Sequence, residues 1–219
     1  MFNLIKKDFI LSRKINIFVV IYALFIAAMG LVMPDPLVST FLYTLGMLTL
    51  IFITVIYTNG YDDKYKSEIV LNSLPIEREN IVRAKYMTLI LFIIMSCSAV
   101  LIFTNIILKL GIASTGKGAS IWNAIFATNI SLIFYSIYYP IYFKVGEGLS
   151  SFNTMLWILM AIGPSVLTKL MERLNNIGYL EKIIDIDINR INIYVLIFSL
   201  IMFYMSMKIS EKIYRTREF

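Results

Sequence analysis

Long apolar runs separated by short polar ones set the pattern of this chain. The runs occupy about Ile15–Met33, Leu37–Tyr57, Met87–Leu108, Ile121–Phe143, Phe152–Thr168 and Ile191–Ile209. Each falls within the roughly 17–25 residues that a helix uses to cross a bilayer. The runs are continuous and do not alternate apolar with polar, which argues against a transmembrane barrel. The pattern predicts an all-α membrane protein, a single domain over residues 1–219 with six transmembrane helices.

The polar intervals predict the rest. Residues 1–14 place Phe2, Ile5 and Phe9 at helical spacing beside Lys6, Lys7, Arg13 and Lys14. That suits an amphipathic helix lying in the headgroup region, with a plain basic flank as the other reading. Pro34-Asp35-Pro36 predicts a tight turn. Pro140 is expected to kink the end of the fourth span, and Gly163-Pro164 to end or bend the fifth. Residues 169–190 carry Leu170, Leu174, Ile177 and Leu180 on one helical face, so a helical outer segment is expected before the sixth span.

The longest polar interval, Tyr61–Met87, holds Lys64, Lys66, Arg78, Arg83 and Lys85 together with Asp62, Asp63, Glu68, Glu77 and Glu79. Within it Ile69, Val70, Leu71 and Leu74 predict a short amphipathic helix with a face for a soluble partner. Pro75 suits the first position of the next helix, with Glu77 and Glu79 in its first turn.

Charge fixes the expected orientation. With six spans both termini share a side. Placing them in the cytoplasm puts fourteen of the 20 Lys and Arg inside and six outside, as the positive-inside rule requires. The net charge of +6 therefore belongs to span ends and anionic lipid, not to a nucleic-acid surface. Histidine is absent, and Cys97 is the one cysteine. Histidine-based metal sites, Ser-His or Cys-His catalysis and an internal disulfide are excluded with them. Residues 111–118 imitate a phosphate-binding loop, but Gly118 follows Lys117 where a hydroxyl should reach magnesium, and no strand precedes it.

No Asp, Glu, Lys or Arg lies mid-span, which disfavours a proton- or sodium-coupled carrier and suits an amphipathic or lipid-like cargo. The polar candidates for a substrate route are Thr44, Thr49 and Thr54 in the second span and Asn123 and Asn129 in the fourth. For any one of them, helix–helix hydrogen bonding is the plainer role.

Asp62-Asp63-Lys64, then Glu68-Ile-Val-Leu-Asn-Ser-Leu-Pro75-Ile-Glu-Arg78 leading to Lys85-Tyr86, resembles the first cytoplasmic loop of ABC-2 type permeases. The size and style are similar to the membrane subunits of Gram-positive peptide exporters, including those for phenol-soluble modulins and bacteriocin immunity. The resemblance implies a bacterial plasma-membrane export subunit that binds no cofactor and catalyses nothing itself. It implies two copies of an ABC ATPase subunit carrying ATP and Mg, and a second permease copy, identical or related. It also implies a coupling helix that meets the ATPase through Asp62, Asp63, Lys64, Lys66, Glu68, Leu71, Leu74 and Arg78. A non-transporting immunity or assembly factor and a membrane-embedded enzyme stay open as alternatives.

Overall fold

The computed structural model describes residues 2–111, 116–146 and 188–217. The predicted fifth span and the outer segment up to residue 187 lie outside the described residues. The elements are α1 (Phe2–Leu11), α2 (Arg13–Val32), α3 (Pro36–Lys64), α4 (Ser67–Ser73), α5 (Arg78–Lys109), α6 (Ile121–Val145) and α7 (Ile188–Thr216). Among the described residues no strand occurs, and α2, α3, α5, α6 and α7 are long and apolar enough to cross a membrane.

Three boundaries depart from the sequence reading. Helix α3 does not stop near Tyr57 but continues to Lys64, so the polar interval begins on a helix. Helix α5 begins at Arg78 with Glu77 as its N-cap residue, not at Pro75. The backbone is still extended at Glu77 (φ −61°, ψ 129°), so the first helical residue can only follow it. The basic tail from Lys212 is the last turns of α7. On α1 the buried residues are Leu4 and Asp8, with Ile5 and Phe9 against the core, whereas Phe2 is exposed.

Helices α2 and α3 pack closely through small residues, the usual device where lipid removes the hydrophobic drive. A Cβ at Gly30 would lie 2.3 Å from the Tyr43 ring, and one at Gly46 would lie 2.6 Å from Ile26. Asp35 accepts the Leu37 N–H at 2.8 Å, so the predicted turn also caps α3.

Helices α6 and α7 run parallel. Trp122 O accepts from Asn192, Asn129 pairs with Ser199, and Ser136 O accepts from Ser206; each pair is 70 residues apart. Pro140 lies within α6, which continues to Val145. Proline cannot donate to the carbonyl four residues back. The Ser206 hydroxyl donates to that Ser136 oxygen instead, at 2.6 Å. The core between α3, α5, α6 and α7 is rich in rings, with Tyr86, Tyr135, Tyr138, Tyr139 and Phe92 almost fully buried.

Candidate functional site

The polar interval folds into a compact arrangement at the end of the bundle that carries both termini. Lys66, in left-handed backbone (φ 47°, ψ 40°), turns the chain sharply from α3 into α4. The extended Leu74 and Pro75 turn it again into α5. Helix α4 is thus set off at both ends as a separate short body. Its outer face shows Ile69 and Val70, with Tyr65 and Leu74 exposed beside it. Leu71 is turned the other way, against the core. An apolar pair turned to the outside among lysines is what a solvated loop would avoid and a docking helix requires.

The base beneath α4 is ionic. Asp62 is buried, and its carboxylate accepts from Lys7 Nζ at 2.8 Å and from Lys85 Nζ. Asp8 Oδ2 lies 3.5 Å from Lys85 Nζ, and Lys7 Nζ is 3.3 Å from Asp8 Oδ1 without hydrogen-bond alignment. Lys85 also reaches Asn59 Oδ1 at 3.4 Å. Two ammonium groups and two carboxylates from α1, α3 and α5 form a neutral cluster. Its neutrality is what makes burial tolerable, because a lone buried charge is far more costly.

A second set of contacts joins α4 and the start of α5 to the end of α7. Asn72 donates to Tyr214 Oη at 3.0 Å, and Arg78 donates to the carbonyls of Arg215 and Arg217 at 3.1 and 2.8 Å. Arg83 pairs with Glu211 at 2.7 Å and with Glu79 at 3.0 Å. The Tyr86 hydroxyl bonds Ser206 and Ser210 at 2.7 and 2.8 Å.

The residues expected to form the coupling surface thus divide. Lys64, Lys66 and Leu74 are exposed, and Leu71 is half-buried under α4. Asp63 lies on α3 and Glu68 on α4. Asp62 is turned inward and held by Lys7 and Lys85, and Arg78 is held by the end of α7. Asp8, Lys85, Asn59 and Glu211 were not picked out as partners by sequence reasoning. Their one signal was Asp8, an acid among basic residues on an otherwise amphipathic helix.

Of the candidate substrate-route residues, Asn123 and Asn129 tie helices together, whereas the three threonines donate only within α3. Thr44, Thr49 and Thr54 donate back to the carbonyls of Thr40, Leu45 and Leu50. Asn123 donates to Thr40 O at 2.9 Å and completes a capping box with Ser120 at the start of α6. Asn129 donates to both the backbone and side-chain oxygens of Asn192, at 3.0 and 2.7 Å. At the opposite end, the Gly116 N–H donates to Leu31 O at 2.8 Å. The described part of the loop that imitates a phosphate cradle is therefore packed on the end of α2.

A family model described as ABC-2 family transporter protein matches residues 3–215, nearly the whole chain. No curated protein and no solved structure matches.

Proposed function

Because this chain belongs to the ABC-2 family of transporter proteins, and so is the membrane subunit of an ABC transporter that works with an ABC ATPase subunit, we propose that α4 is the contact through which that ATPase drives it. The observation that carries this is the outward-facing Ile69 and Val70 on a short helix set off by two sharp turns. Lys64, Lys66 and Leu74 border the contact, with Asp63 and Glu68 on the same segment. Asp62 and Arg78 act behind it, as the ties to α1 and α7. A push on α4 passes to α1 and α5 through the Asp62 cluster, and to α7 through Asn72–Tyr214 and Arg78.

The finer reading is a bacterial plasma-membrane exporter with cytoplasmic termini. Two permease copies, identical or related, pair with two ATPase subunits that bind ATP and Mg, and the cargo is an amphipathic peptide or lipid-like molecule. Six crossings are supported by the parallel course of α6 and α7: two helices crossing in the same direction need a return passage between them. The absence of mid-span charge supports an amphipathic cargo.

The test is Ile69→Asp with Val70→Asp, in the chain co-expressed with its ATPase. Loss of co-purification and of transport, with an unchanged melting temperature, is the expected result. Undiminished co-purification would remove α4 from the contact.

A further inference from the structure

A groove between α5 and α7 has a chemistry that coupling does not use. Its volume is about 370 Å³, and it is lined by Glu79, Lys208, Glu211, Lys212, Arg215 and Thr216. Both carboxylates are engaged: Arg83 holds Glu211 and Glu79, Lys208 pairs with Glu211 at 2.9 Å, and Arg215 stands 4.0 Å from Glu79. The lining holds three cations against two carboxylates, and Arg83 behind it is offset by Glu77, which leaves one positive charge in surplus. Lys208 and Arg215 remain largely open, with side chains 47% and 75% exposed.

The groove sits at a definite depth. Residues 191–207 of α7 carry no charge and rise roughly 25 Å at 1.5 Å per residue. Lys208 is therefore at the hydrocarbon boundary, with its ammonium 5.9 Å from the Tyr204 ring. Ile197, Ile201, Tyr204, Lys208, Lys212 and Arg215 follow one another at spacings of four and three, so they form one stripe along the helix. The stripe is exposed throughout, apolar as far as Tyr204 and basic from Lys208 onward. This is the outline of an amphiphile: a surplus of positive charge at headgroup depth, continuous with an apolar track running into the bilayer.

We propose that this groove binds an anionic phospholipid, with its phosphate between Lys208, Lys212 and Arg215 and its acyl chains along Ile197, Ile201 and Tyr204. Such a lipid would bridge α5 and α7 at the level where Arg83 and Glu211 already join them.

The full-length chain in mild detergent is titrated with phosphatidylglycerol, and bound lipid is counted by native mass spectrometry. A juxtamembrane cation contributes about fivefold in affinity. Lys212→Gln is expected to weaken binding about fivefold, and Lys212→Gln with Arg215→Gln about thirtyfold. Lys212→Gln disturbs none of the ion pairs described, so it keeps the test valid if the double variant folds poorly. Arg13→Gln with Lys14→Gln removes the same charge from exposed positions on α2 and should leave the affinity unchanged. Equal weakening in both double variants would reduce the effect to general surface charge and overturn the site. Unaltered binding in both would overturn it too. Displacement of the lipid by millimolar inorganic phosphate would make it a free-phosphate site instead.

Discussion

Removing the ammonium of Lys85 tests the structural account most directly. The side chains of Lys85, Asp62 and Asp8 are only 10%, 7% and 2% exposed. Lys7, at 27%, is the wettest member of the cluster. Lys85→Met keeps the apolar stem but leaves two buried carboxylates facing one ammonium. Breaking a buried pair on one side costs about 3–5 kcal/mol, because the orphaned charge remains buried. At about 2–4 °C per kcal/mol for a chain of this size, the melting temperature in detergent should fall by roughly 10 °C. Lys85→Met combined with Asp62→Asn leaves Lys7 and Asp8 as a neutral pair and should recover at least half of that loss. The non-additivity of residues sharing one network is what the cycle reads, on the order of 0.5–3 kcal/mol. If the double variant melts no higher than Lys85→Met, the four groups do not act as one cluster, and α1 is not fastened to α3 and α5 in this way.

Two further substitutions probe close backbone approaches. Gly30→Ala places a methyl group 2.3 Å from the Tyr43 ring and should cost about 1–3 kcal/mol by overpacking; thermal unfolding checks it, and Gly30→Ala with Tyr43→Leu should recover part of the loss. Gly116→Ala places a Cβ 2.6–2.8 Å from the carbonyl oxygens of Leu31, Met33 and Gly30, and should lower the melting temperature and increase hydrogen exchange at the Gly116 amide, which now bonds Leu31 O.

Periodicity and length alone settled the helical membrane class, the turn at Pro34–Pro36 and the existence of a short amphipathic helix after Ser67. Those follow from local rules: how many apolar residues cross a bilayer, where proline removes a donor, and which positions share a helical face. Asp62-Asp63-Lys64 and the phrase from Glu68 to Tyr86, set in the chain's layout of spans, pointed to its family, because a run of residues can be read without knowing what it touches.

What only the tertiary structure decided is which charges are spent inside. Asp62 and Lys64 lie two residues apart in the same polar interval, yet one is buried against Lys7 and Lys85 and the other is open to solvent. Arg78 and Lys66 differ in the same way, since the end of α7 captures only the first. Sequence shows that a residue is charged; whether that charge is solvated or paired depends on partners 23, 55 or 139 positions away. Local patterns carry no record of those separations, because the energy that fixes them, the cost of burying an unpaired ion, exists only once the helices have met.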